Sequence, residues 1–161
     1  MAIKRLCIIV ISLCLGLAVM GQEVKKLKIG ELEKLIAESR TPLIVNFWAT
    51  FCKPCIEEIP YFEKLVEKYK QEGLSLLLVS LDMRDDYPKI RPFASKRKFS
   101  SRIVWLDESN ADYFCPRIDE KWSGGIPATL LIYNKTGKRL FMEDQVTEER
   151  LEKEILSILA K

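Results

Sequence analysis

Trp48-Ala49-Thr50-Phe51-Cys52-Lys53-Pro54-Cys55 joins an apolar strand, Leu43–Ala49, to a charged helix-forming segment running from Ile56 to about Glu72. Strand, sharp turn and helix make a setting in which cysteines become reactive. A helix N-terminus offers unpaired N–H groups and a partial positive charge, and both stabilise a thiolate. Lys53 adds a full positive charge between the sulfurs. Together they are expected to lower the pKa of Cys52 below the free-thiol value of about 8.5. Cys55, one turn into the helix, is expected to be more buried and less ionised. An exposed attacking thiol backed by a resolving thiol equips a chain for thiol–disulfide exchange. A lone Cys-x-x-Cys also fits a structural disulfide or half of a zinc site. Zinc takes four ligands, and this sequence has no histidine and no second Cys-x-x-Cys, so the redox reading is preferred.

The 161 residues suffice for one domain with a hydrophobic core. Met1–Gly21 reads as a secretory signal: Lys4-Arg5, an apolar run from Leu6 to Met20, and the cleavage triplet Val19-Met20-Gly21. The competing reading is an uncleaved N-terminal anchor. Leu13 before Cys14 argues against a lipoprotein signal. Without Lys4 and Arg5 the chain keeps 24 basic against 23 acidic residues, a near-balance that gives no case for nucleic acid. Residues 22–161 form the domain, which faces the exported, oxidising side in either reading. It keeps Cys52, Cys55 and Cys115.

Gln22–Ile29 is a lysine-rich lead-in with little of its own to pack. Gly30–Ser39 is predicted as a short helix. The helix after Cys55 buries Ile59, Phe62, Leu65, Val66 and Tyr69, is kinked by Pro60 and is closed by Gly73. Leu74–Leu81 is a second strand. Asp85-Asp86 and Pro88 open a helix rich in cations (Lys89, Arg91, Lys96, Arg97, Lys98), read as a solvated face rather than a dock for an acidic partner. Ile103–Leu106 is a third strand. A helix capped by Ser109 or Asn110 runs through Phe114 and is limited by Pro116. Gly124-Gly125-Ile126-Pro127 leads into the strand Leu130–Tyr133, and a hairpin at Asn134–Lys138 returns Arg139–Met142. Thr147 caps a last helix with Leu151, Ile155, Ile158 and Leu159 on its buried stripe, although Arg150 leaves the capping box incomplete. This order is α/β: a mixed sheet with helices on both faces.

From about Gly30 onward the chain resembles the thioredoxin superfamily, and within it the exported TlpA/ResA-like thiol–disulfide oxidoreductases. Asn46–Cys55 resembles that branch's motif, Pro60 its helix-kinking proline, and Gly125-Ile126-Pro127-Ala128-Thr129 its cis-proline loop. The resemblance implies a three-layer sandwich, with about Asp85–Leu106 as an extra helix–strand insertion. Asn46 stands where thioredoxins usually carry a buried aspartate. Phe51 replaces the usual tryptophan, and the N-terminal hairpin of the branch has no clear sequence here. Glu58 matches a glutamate of the branch. If partly buried it would take the resolving thiol's proton; the alternative is a solvated glutamate, which suits Glu57 better. Asn46 is expected to bond local backbone. Cys115 is expected to be a buried apolar residue, with a third redox thiol or an intermolecular disulfide partner as the alternatives. Phe51, Ile126 and Pro127 are candidate client contacts; Trp122 fits either the site border or the core.

The resulting expectation is a periplasmic protein-disulfide reductase with no cofactor and no metal. The resemblance implies client proteins bearing disulfides, a membrane thiol transporter as electron donor, a monomer, and the branch's place in redox homeostasis and cytochrome c biogenesis. The rivals are a disulfide-donating oxidase, a thiol peroxidase and a metal carrier. Thr50 lies two residues before Cys52 where the peroxidatic pattern wants three, and the lack of histidine counts against the carrier.

Overall fold

The computed structural model describes residues 24–160. The expected leader, with Cys7 and Cys14, lies outside the described residues. The elements are β1 (Lys25–Leu27), α1 (Ile29–Ala37), β2 (Leu43–Trp48), α2 (Lys53–Lys68), β3 (Ser75–Ser80), α3 (Tyr87–Arg97), β4 (Arg102–Leu106), α4 (Ala111–Ile118), β5 (Ala128–Tyr133), β6 (Lys138–Met142) and α5 (Glu148–Leu159). The sheet order is β1-β4-β3-β2-β5-β6. The first four strands of that order are parallel, and β5 and β6 are antiparallel to their neighbours. The expected insertion is α3 with β4, whose strand lies between β1 and β3.

All six residues of β2 are buried, as a central strand covered on both faces requires. Alternation sends Ile44 and Trp48 to one face, where they pack with Ile59, Phe62 and Leu65 of α2, Ile90 of α3, and Leu151, Ile155 and Ile158 of α5. It sends Leu43, Val45 and Phe47 to the other, against Leu32 and Ile36 of α1 and Phe114, Cys115 and Ile118 of α4. Each such large side chain contributes roughly 1.5–3 kcal/mol by leaving water. Asn46 shares the parity of Ile44 and Trp48, so its amide points at α2.

The lysine-rich lead-in departs from the expectation of a segment with little to pack. Lys25, Lys26 and Leu27 pair with Val104, Trp105 and Leu106 as an edge strand, and Val24 and Leu27 are buried. The Lys26 ammonium lies 4.2 Å from the centre of the Tyr87 ring, so a lysine here covers apolar surface while its charge stays wet. Two helix limits also differ. The active-site helix starts at Lys53, with Pro54 in its first turn, where a missing N–H costs nothing. The helix α4 continues past Pro116 to Ile118 because burial of Cys115 and Ile118 outweighs one lost backbone bond. Pro60 sits inside α2, and Gly73 closes the 3-10 turn that follows with φ +78°. The Thr147 side chain accepts from the Arg150 N–H at 3.3 Å. Among the described residues no helix is long and apolar enough to cross a membrane.

Candidate active site

The parallel strand β2 delivers Cys52 to its C-terminal end, and the turn back into α2 makes Cys52 the helix N-cap. Cys52 and Cys55 form a disulfide. Cys52 is 7% exposed and Cys55 fully buried, so only the first sulfur meets solvent. The Cys55 N–H donates to Cys52 Sγ at 3.3 Å. That donor and the rest of the open first turn of α2 are in place to hold a Cys52 thiolate once the pair is reduced.

Lys53 is less committed to the sulfurs than the sequence implies. Its side chain is 87% exposed, and its ammonium lies 3.8 Å from the Glu57 carboxylate. A wet, partly compensated charge acts weakly. Lys53→Glu is therefore expected to raise the Cys52 pKa by only a few tenths of a unit, roughly what an exposed pair contributes; alkylation rate against pH measures it.

Three buried polar side chains lie beneath the disulfide. Asn46 and Thr129 face each other across the β2–β5 pair. The Asn46 amide nitrogen donates to Glu58 Oε1 at 2.9 Å and to Thr129 Oγ1 at 3.1 Å. Glu58 Oε2 accepts from the Val146 N–H at 3.0 Å. Asn46 thus binds side chains rather than the local backbone that the sequence suggests. Glu58 is fully buried, not solvated. Burial pushes its carboxyl up to about 7, against the lowering effect of the Val146 and Asn46 donors; Asp144 adds a smaller push upward. Asn46 Oδ1 is buried and has no partner, while its Nδ2 is the atom that faces the Glu58 carboxyl. Glu57 is half-exposed and takes the solvated role.

The turn just before Cys52 is pinned from β3. Asp82 accepts from the Thr50 N–H at 3.0 and 3.1 Å, from the Thr50 hydroxyl at 2.5 Å and from the Ser80 hydroxyl at 2.7 Å. Its own carbonyl accepts from the Trp105 indole at 2.8 Å. Asp82→Ala leaves three donors without an acceptor and is expected to cost about 2–4 kcal/mol in urea denaturation. A loss under about 0.5 kcal/mol, the range of ordinary surface changes, would contradict this.

Opposite lies the loop before β5, where the Ile126–Pro127 bond is cis. Pairing of Phe47 with Ala128 sets Pro127 level with Trp48, at the disulfide end of the sheet. Phe51 and Ile126, predicted as client contacts, line one groove of about 420 Å³ with Leu81, Met83, Trp105 and Phe114. Phe51 and Met83 are 66% and 70% exposed. Trp122 belongs to the core instead, 4.4 Å from the Phe47 ring centre. Cys115 is buried beneath the same loop, and burial pushes its thiol up to about 11.

The structure thus gathers Cys52, Cys55, Phe51, Ile126 and Pro127 at one end of the sheet and sets Glu58 one helix turn inward. Sequence reasoning missed Asp82, Thr129 and the Val146 N–H. Asp82 carried a faint signal, an acid directly after the apolar run Leu74–Leu81; the other two depend on cross-strand register and on a loop far along the chain.

The chain as a whole is similar to known proteins. The chain is 28% identical over 116 residues to "Thiol-disulfide oxidoreductase ResA" of Geobacillus kaustophilus (strain HTA426), covering 72% of this chain and 62% of that one. The chain therefore spans less than two thirds of that relative's length. It is 48% identical over 40 residues to the protein of the same name in Oceanobacillus iheyensis, covering 25% of this chain and 21% of the relative. Among solved structures, a putative thiol:disulfide interchange protein DsbE from Chlorobium tepidum is 25% identical with a TM-score of 0.62, over 78% of this chain and 85% of that one. A thioredoxin-related protein from Neisseria meningitidis serogroup B is also 25% identical, with a TM-score of 0.66, over 79% and 91%. The fold is thioredoxin-like. Residues 19–136, well over half of the sequence, match the AhpC/TSA family, and the chain belongs to that family.

Proposed function

We propose that this chain is an exported thiol–disulfide oxidoreductase that acts as a protein-disulfide reductase. One observation carries the reading. A Cys52–Cys55 pair caps the N-terminus of α2 with only its first sulfur exposed, and a buried carboxyl with a pKa of about 7 follows on the same helix face. The relatives' names support the reaction class.

In the reduced protein the Cys52 thiolate attacks one sulfur of a client disulfide. The client S–S bond breaks, a mixed disulfide forms, and the first client sulfur leaves and takes a proton. Cys55 then gives up its proton, attacks Cys52 Sγ and releases the second client thiol. The client gains two electrons and two protons, and the protein is left as the Cys52–Cys55 disulfide. Cys55 is buried and its thiol needs a base. We assign that role to Glu58, which follows three residues on along the same buried face of α2. A membrane thiol transporter would return the protein to its dithiol form in an oxidising compartment. The apolar run Leu6–Met20 supports export.

Direction is set by the reduction potential. Equilibration of the Cys52–Cys55 pair with a dithiothreitol or glutathione buffer is expected to give a value at or below about −250 mV, near that of thioredoxin. A value near about −120 mV would make the protein a disulfide donor instead.

A further inference from the structure

One carboxylate near the site takes no part in the sulfur chemistry. Glu143, the first residue after β6, accepts from the Ser123 N–H at 2.9 Å, from the Gly125 N–H at 2.7 Å and from the Ser123 hydroxyl. From the other side the Trp122 indole N–H donates to the Gly125 carbonyl at 2.9 Å. Both backbone polar groups of Gly125 and the N–H of Ser123 are therefore bound inside the molecule. The fit is close. A Cβ on Gly125 would stand 2.8 Å from Glu143 Oε1, so the carboxylate can lie there only over a glycine. Beneath, Gly124 has φ +100°, and a Cβ there would stand 3.8 Å from Cys115 Sγ, which seats the turn on α4. The backbone of Ile126, next in the chain and beside Phe51 in the groove, takes no part in these bonds.

We propose that Glu143 is a positioning residue for client recognition: it locks the turn 122–125 so that the Ile126 backbone is presented, already ordered, to an extended client segment. The proposal rests on the oxidoreductase reading of the Cys52–Cys55 site. An unclamped turn would have to be ordered at each encounter, and that cost falls on binding rather than on sulfur exchange. Burial raises the Glu143 carboxyl, but the Ser123 hydroxyl and the two N–H donors outweigh it and hold the group below its ordinary value. The clamp is therefore charged across the neutral range and is a fixed support, not a pH switch.

The test is steady-state reduction of insulin by the whole protein with dithiothreitol as electron source, beside reduction of a small aromatic disulfide that needs no strand pairing. In Glu143→Ala the KM for insulin is expected to rise about tenfold, the loss of a charge-assisted bond network, with kcat within about twofold. Attack on the small disulfide should stay within the same twofold. Glu143→Gln keeps an acceptor and should recover part of the KM. Gly125→Ala should raise KM in the same way, and adding it to Glu143→Ala should cost little more, because both act on one contact. If circular dichroism finds Glu143→Ala unfolded, Gly125→Ala and Ser123→Ala carry the comparison. An unchanged KM, an equal loss on both substrates, or full additivity of the two changes would overturn the proposal. A wild-type protein inactive on both disulfides would instead overturn the oxidoreductase reading, and the proposal with it.

Discussion

Cys52→Ser is expected to abolish disulfide exchange, while Cys55→Ser is expected to accumulate covalent complexes with client proteins. The asymmetry follows from exposure and position. Cys52 is the sulfur that reaches solvent and the one that receives the Cys55 N–H. Without it the buried Cys55 has no approach to a client, and exchange falls by about a thousandfold or more, as removal of a nucleophile does elsewhere. Without Cys55 the first attack proceeds but nothing resolves the mixed disulfide. Cys115 cannot substitute: it is buried against Gly124, and its thiol is pushed up to about 11, so it stays protonated at neutral pH. Cys115→Ser should leave turnover close to wild type. Nonreducing gels and turnover assays read all three variants, and wild-type rates in Cys52→Ser would contradict the mechanism.

The second large effect belongs to Glu58 and appears in stability as well as rate. Its folded-state pKa is about 7, raised from the ordinary 4.5 chiefly by burial. Between those values the folded protein holds a proton that the unfolded chain has released. Stability therefore falls as pH rises through this window. The contribution of the neutral carboxyl is complete below the unfolded value and gone above the folded one, a change of about 3 kcal/mol. Asp107 and Glu152, held low by Lys28 and Lys68, have the opposite slope, but below the ordinary carboxyl range. Glu58→Gln carries no charge to bury. Its amide oxygen can accept from Val146, and its NH2 finds an acceptor once the Asn46 amide, whose Nδ2 now faces that position, turns over to present the otherwise unpartnered Oδ1. Urea denaturation should show the slope between about pH 4.5 and 7 lost in this variant, with a gain of order 3 kcal/mol at pH 8. The same change should slow the resolving step by about a hundredfold and leave the first attack near wild type, the scale of a lost general base. Equal slopes in both proteins would show that Glu58 is not buried as an acid. Unchanged rates in both steps would leave it a packing role alone.

The thiol pair, the strand–turn–helix around it and the proline loop were legible because each is written in adjacent residues. The nearly continuous apolar run Leu43–Ala49 and the stripe Ile59, Phe62, Leu65 are local patterns, and they placed the central strand and its covering helix correctly. The edge strand β1 was not legible: two of its three residues are lysines, and only the Val104–Leu106 backbone beside it makes it a strand. Asn46 was visible as a residue but not as a bridge. Its partners Glu58 and Thr129 lie 12 and 83 positions away and meet it only when β2, α2 and β5 are assembled. Glu143 reads in sequence as one more acid after a hairpin. Its importance comes from a turn 18 and 20 positions earlier. The place of Lys53 between two sulfurs is plain in the sequence, but that its ammonium lies in solvent beside Glu57 is not.

The central claim is that electrons pass from the Cys52–Cys55 dithiol to a client disulfide. The direct measurement is a single turnover without added reductant. The protein is reduced, freed of small thiols, mixed with excess insulin, quenched with acid and alkylated, and its peptides are mapped by mass spectrometry. One insulin disulfide opened per chain, with Cys52 joined to Cys55 and Cys115 alkylated as a free thiol, is the predicted result. Intact insulin with both Cys52 and Cys55 still alkylated as thiols would contradict it.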